Sequence, residues 1–329
     1  MTKVLDWLMD GENPSVTYFA RKSLLEKGEE DPQVREARDL IAIKGLVPQV
    51  LELQNPDGSF GEPERFYLDK YGGTVWTMMI LAEHGAPPED PRVRLGCEFL
   101  LAHAREPLEG GFSAKAQAGL GTGLPGVVVP CLTGNMVFTL FRLGYGKDPR
   151  VQEAIAWLLR YTRTDDGDGP APQGALFEWR EPCYGKHSCH MGVAKSLKGL
   201  AEIPEDQRSP EVRAKLEEMA EYFLKHHIHK KSHDLDEVSR PGWLKLGFPL
   251  MYQTDLLEIL HLLTGLGIKD PRMDEALAIL QGKAQEGRWK LESTMNGKTL
   301  MPVEQKGKPS RWITLRALET LKGQGIGEK

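Results

Sequence analysis

Asp148-Pro149-Arg150-Val151 is the clearest copy of a phrase that decides the fold of this chain. Its relatives are Asp31-Pro32-Gln33-Val34, Asp90-Pro91-Arg92-Val93, Ser209-Pro210-Glu211-Val212 and Asp270-Pro271-Arg272-Met273. The prolines are 59, 58, 61 and 61 residues apart, so the chain is a repeat with a period near sixty. Asp and Ser are good N-caps. Proline is tolerated at the first helical position because its missing N–H has no intrahelical partner there. Each phrase therefore starts a helix. In the copy at 150–161, Val151, Ile155, Leu158 and Leu159 share one face.

A second helix precedes each phrase and ends in glycine or a turn. Residues 74–83 read TVWTMMILAE, and 135–143 read NMVFTLFRL. Segments 192–201 and 255–263 hold the same slot. These stretches are apolar almost all round, which places them inside, while the more charged proline-started helices lie outside. Segments 3–9, 15–26 and 309–322 complete a count of six inner and six outer helices. With no strand signal, the expectation is an all-α (α/α)6 toroid, one domain over residues 1–329. An open α-solenoid is the alternative. Closure is favoured because the chain begins with an outer helix and ends with an inner one.

Composition narrows the partners. The chain has 329 residues, 40% hydrophobic and 27% charged, with a formal net charge of −5 and its acids and bases interspersed. That gives no electrostatic case for nucleic acid or an anionic membrane. No apolar run reaches the roughly 18–20 residues a membrane span needs, and no secretion signal is read at the start. Four cysteines in a chain this long do not make a disulfide framework. The expected setting is cytoplasmic and reducing, where clustered cysteines lean towards metal or catalysis.

Three of those cysteines cluster. Cys183 and Cys189-His190 lie in one twelve-residue stretch, and Cys131 stands one repeat earlier. Cys131 and Cys189-His190 sit just before consecutive inner helices, whose N-termini share one end of a toroid. Thiolates and an imidazole are zinc ligands, and helix N-termini favour the thiolate. The expected cofactor is Zn2+ on Cys131, Cys183, Cys189 and His190. With all four bound, the site is closed and structural. With Cys131 absent from it, the fourth place is open to water or a substrate thiolate. Cys97, within an outer helix, reads as packing. The histidines of 225–233 (KHHIHKKSH) read as a solvated outer face, and Asp165-Asp166-Gly167-Asp168-Gly169 as a turn rather than a calcium loop.

Acid–base candidates come from the same end. Asp255 opens an inner helix, with N-capping as its structural alternative, and His187 and Asp236 lie in loops. Asp69, Tyr71 and Asp234 qualify by position alone. Trp76, Phe138 and Tyr252, with Phe141, are the expected cavity-lining aromatics, or else ordinary packing between helices.

The 53–61 stretch, Leu-Gln-Asn-Pro-Asp-Gly-Ser-Phe-Gly, resembles the recurring Gln-x-x-Asp-Gly-Ser-Trp loop of the terpenoid-cyclase and protein-prenyltransferase superfamily. Cys183-Tyr184-Gly185 and Cys189-His190 are similar to the two zinc motifs of lanthionine cyclases, although Met191 precedes Gly192 here. The resemblance implies a zinc-dependent transferase or cyclase. Its substrate would be a small molecule or peptide of apolar character, held in the central cavity and activated near the metal. Two alternatives stay open. One is a non-catalytic toroid, pinned by structural zinc, that binds a ligand or partner. The other is a metal-independent cyclase using Asp234, Asp236 or Asp255 as its acid.

Overall fold

The computed structural model describes residues 2–170, 173 and 181–326. Its helices follow the repeat. The inner series is α2 (Pro14–Ser23), α5 (Thr74–Glu83), α7 (Pro130–Leu140), α9 (His190–Ala201), α11 (Leu256–Gly265) and α13 (Arg311–Gly323). The outer series is α1 (Thr2–Leu8), α3 (Pro32–Ile43), α6 (Pro91–His103), α8 (Pro149–Tyr161), α10 (Pro210–Lys225) and α12 (Asp274–Gly282), with a short α4 (Leu46–Leu51) after α3. The architecture is an α/α toroid.

The repeated phrase works as its chemistry predicts. The side chains of Asp31, Asp90, Asp148, Ser209 and Asp270 each accept a backbone N–H from the turn they start. The arginine two residues after the cap adds a link between repeats. Arg150 returns to Asp148 and reaches Glu98 on α6 at 2.8 and 3.0 Å, and Arg272 does the same with Asp270 and Glu221 on α10. Such exposed pairs add little stability each, but they recur in register.

The glycine-aromatic loops also have a common job. The backbone N–H groups of Phe60, Phe112 and Trp289 donate to the hydroxyls of Thr74, Thr133 and Thr314 at 2.9–3.1 Å. Each loop is thereby fastened to the first turns of an inner helix, its aromatic ring buried. The ends of the chain close the ring. Arg311, opening α13, pairs with Asp10 at 2.8 and 3.0 Å, and Lys322 near its end donates to the carbonyls of Ser23 and Leu24.

One departure concerns strand. Lys230–Lys231 (β1) and Asp234–Val238 (β2) form a short antiparallel hairpin after α10, where a loop is expected. A second concerns the inner helices. They are apolar outside a few positions, but Glu83, Lys195, Lys198 and Glu258 are all buried within them. These four form a column through the ring. Lys195 bridges to Glu258 at 2.6 Å, Lys198 stands 3.5 Å from Glu258 and pairs with Glu83, and Arg316 closes on Glu83 from α13.

Candidate functional site

Backbone contact between α7 and α9 builds the site. A Cβ placed on Gly134 would meet the carbonyl oxygen of Lys195 at 2.2 Å, and one on Gly199 would meet the carbonyl oxygen of Gly134 at 2.5 Å. Only glycine permits that approach. It brings Cys131, second residue of α7, into electrostatic range of Cys189, the N-cap of α9. Cys183 arrives from the turn Glu181–Tyr184 and hydrogen-bonds Cys189. Cys189 thus has Cys183 as hydrogen-bond partner and Cys131 within electrostatic range. Cys97 lies buried in α6, as packing requires.

The loop carrying Cys183 is braced by residues whose role the sequence did not disclose. Tyr184 is buried and donates its hydroxyl to the Val128 carbonyl at 3.1 Å, just before α7. Arg163 donates to the carbonyls of Tyr184 and Lys186 while pairing with Asp165. Ser188 donates to Asp165 at 3.0 Å and accepts from the Asp166 backbone N–H. The aspartate-rich turn at 165–168 is thus a brace for the cysteine loop.

The three thiols differ electrostatically. The hydrogen bond from Cys183 is the main cause that draws Cys189 down to about 6, against burial. The N–H groups of Gly192 and Met191 at the helix start, and Arg240, act in the same direction. Burial pushes Cys131 up to about 12, and the neighbouring Cys189 adds to the rise. The thiolate form is therefore favoured at Cys189 and opposed by burial at Cys131.

Beside it lies a pocket of about 370 Å³, walled by Cys189, His187, Lys186, His226 and Arg240, with Tyr222 and Trp243 as aromatic surface. This lining mixes charged groups with aromatic and aliphatic surface, where the expected substrate is of apolar character. His187 is exposed, its Nδ1 3.4 Å from the Asp166 carbonyl. His190 stacks on Trp243 at 3.8 Å between ring centroids and meets Phe223 edge-on. Its Nδ1 is buried with no partner among the described residues. Burial, then His226 and Arg240, hold its imidazole well below the ordinary range. The histidine-rich stretch is not a solvated face throughout. His226 and His229 are 5% and 0% exposed, and His226 turns its Nε2 towards Asp166 at 3.5 Å.

The zinc expectation can be tested against this donor set. Thiols at Cys131, Cys183 and Cys189 and an unpartnered imidazole nitrogen on the adjacent His190 are donor types that suit zinc. Among the described residues, however, no three metal-ligating side chains are arranged to hold an ion. The metal would have to draw them together.

Of the acid–base candidates, His187 shares the pocket with Cys189, while Asp236 and Asp255 do not line it. Asp236 is exposed on β2 and does not line the pocket. Asp255 is a cap. Its two carboxylate oxygens accept the N–H groups of Glu258 and Gly247, each at 2.8 Å, and it is 2% exposed. Burial pushes its carboxyl up to about 7. The folded chain then holds a proton that the unfolded chain has lost between about pH 4 and 7, so Asp255 contributes a fall in stability as pH rises through that window. Asp255→Asn keeps a good cap without the buried charge. Denaturant midpoints at pH 5 and 8 should show the variant gaining on the parent at pH 8. A variant that loses ground at pH 8 would contradict the capping role.

The expected cavity aromatics line neither this pocket nor the larger one at the other end of the ring. Trp76 is buried among Tyr67, Tyr71 and Tyr252, with the Lys70 ammonium 4.6 Å from the Tyr252 ring. Phe138 supports the charged column, 4.0 Å from the Lys198 ammonium.

Solved structures share this architecture. An unsaturated glucuronyl hydrolase specific for heparin superposes with a TM-score of 0.50 at 12% identity, covering 97% of this chain and 86% of its own. The likeness is one of fold. A protein from Actinoplanes gives 0.46 at 15% identity over 99% and 98% of the two chains. The type II terpene cyclase MstE from Scytonema, without ligand, gives 0.44 at 14% over 94% and 87%. No family model and no curated protein matches the sequence. Among the described residues, no helix is long and apolar enough to cross a membrane.

Proposed function

We propose that this chain is an enzyme whose reacting centre is the three-cysteine cluster where α7 and α9 begin, with the adjoining 370 Å³ pocket as substrate seat. The observation that carries the reading is Cys189, hydrogen-bonded by Cys183 and within electrostatic range of Cys131, lining a pocket that holds both charged and aromatic groups. A cluster built only to hold a loop has no need of a concave, charged neighbour. That a solved protein of this fold is a hydrolase is consistent with an enzyme.

Zinc is the cofactor this donor set suits. Cys183, Cys189 and His190 would hold it, with Cys131 as fourth ligand if the site is closed. Bound there, zinc would supply a Lewis acid able to keep a substrate thiol or water deprotonated. The protein's own part is legible. Trp243 and Tyr222 offer an apolar platform, Lys186 and Arg240 favour a negatively charged group, and His187 and His226 are placed to carry a proton. A small molecule or peptide with both an apolar and an acidic part fits this wall.

The second reading is a metal-free thiol enzyme with Cys189 as nucleophile. Its favouring observation is the set of donors around that sulfur, Cys183 and the N–H groups of Met191 and Gly192. One experiment separates the two. Metal content of the purified chain is measured beside alkylation of Cys189 by iodoacetamide, mapped by mass spectrometry. About one zinc per chain, lost in Cys189→Ser, supports the zinc enzyme. A metal-free chain in which Cys189 reacts at least about tenfold faster than Cys97 supports the thiol enzyme. No zinc and no preference for Cys189 sinks both.

A further inference from the structure

A cavity of about 570 Å³ opens at the other end of the ring, by the C-terminal ends of α5 and α7 and along α11 and α13. It shares no lining residue with the thiol pocket, and the charged column runs between them. Its volume suits a small metabolite-sized ligand.

Two guanidiniums line this cavity with part of their hydrogen-bonding capacity unused. Arg142, in the turn after α7, donates Nε to Glu202 at 3.0 Å, and its Nη1 and Nη2 have no acceptor among the described residues. Arg316, on α13, donates Nη2 to Glu83, and its Nε and Nη1 likewise have none. None of these spare donors is sealed in the core. Both side chains are held in place by aromatic faces. Arg142 lies 5.0 Å from the Phe138 ring and Arg316 4.9 Å from that of Phe248. Ordered guanidiniums with unused edges match the planar, two-oxygen geometry of a carboxylate.

The acids in the wall do not fill that role. Glu83 is engaged by Arg316 and Lys198, and Glu26 by Lys322. Burial alone would push the Glu83 carboxyl up, but Arg316, Lys198 and Arg142 outweigh it and keep it ionised. Glu319 remains, beside His261 at 3.8 Å and within electrostatic range of Arg316 and Arg142 without a hydrogen bond to either, and burial raises its carboxyl. Trp312 supplies an apolar surface in the same cavity. It is 3% exposed, and its indole N–H has no acceptor among the described residues.

We propose that this cavity is a second small-molecule site, taking an organic carboxylate whose oxygens meet the free edges of Arg142 and Arg316 and whose apolar part lies along Trp312. It is independent of the thiol cluster and does not rest on the reading of that site.

The test is calorimetry on the full chain with straight-chain carboxylates from acetate to decanoate and with phenylacetate, each against its own amide. At least one acid should bind with one-to-one stoichiometry, about tenfold or more tighter than its amide. Arg142→Gln and Arg316→Gln should each weaken that acid by about tenfold or more. The proposal is overturned if every acid binds within tenfold of its amide, or if Arg142→Gln leaves the affinity unchanged. Inorganic phosphate binding in place of every acid, with the same arginine dependence, also overturns it. Should Arg316→Gln fail to fold, Arg142→Gln decides alone, since its partner Glu202 is partly exposed and survives the loss.

Discussion

Replacing Gly134 by alanine should destabilise the chain by about 3 kcal/mol or more and blunt the reactivity of Cys189. Alanine is the better helix former by about 1 kcal/mol, so a neutral position would gain. Here the added Cβ would stand 2.2 Å from the Lys195 carbonyl oxygen, and backbone cannot swing aside as a side chain can. Relief requires α7 and α9 to separate, an overpacking cost of the largest kind. The melting temperature should fall by roughly 6–12 °C at about 2–4 °C per kcal/mol for a chain of this class. Separation also moves Cys131 away from Cys189. Gly282→Ala is the control, since nothing lies within 4 Å of its added Cβ. Equal melting of the two variants would show that the close approach of α7 and α9 is not what holds the site together.

Lys195→Met should cost about 3–5 kcal/mol, because it leaves Glu258 buried with half its compensation gone. Lys195 is 0% and Glu258 3% exposed, so no water makes good the loss. Pairing the change with Glu258→Leu should recover most of it, since two apolar groups of similar size bury without penalty. The pH profile identifies the mechanism. Burial pushes the Glu258 carboxyl up, but Lys195 and Lys198 outweigh it and hold it below 4.5. Its contribution is present above the unfolded value and lost as pH falls through the folded one. Burial lowers Lys195 to about 8. Between about pH 8 and 10.5 the unfolded chain then binds more protons than the folded chain, so stability should rise with pH in that window. Urea midpoints across both windows measure these slopes, and both should vanish in the double variant. A double variant no more stable than Lys195→Met would refute the pairing account.

The sequence disclosed the thiol site in part. Cys131, Cys183 and Cys189 were legible because residue type and repeat position place them at the ends of neighbouring helices. The behaviour of His190 was not legible, since its stacking partner Trp243 lies fifty-three residues away in a segment with no periodic signal. His226 was read as part of a charged face because lysines flank it. Its burial depends on how α10 meets the segment at 165–168, which pattern does not show. Asp255 looked equally like an acid and a cap, and only the N–H groups of Glu258 and Gly247 decide between them. Glu83, Lys195, Lys198 and Glu258 stood in view as charges in apolar helices. Single charges in such runs carry no label naming their partners.

By itself the sequence determined the helices and their alternation, and favoured a closed ring over an open solenoid. The reason is that capping acts over two or three residues and amphipathic burial over a few turns, so a sixty-residue repeat writes both into local chemistry. The tertiary structure alone decided which buried charges pair and where the cavities lie. Lys195 and Glu258 are 63 residues apart, and Glu83 and Lys198 are 115 apart. Their energies depend on distances of a few ångströms inside a low-dielectric ring, and those distances exist only once glycine has let the inner helices touch.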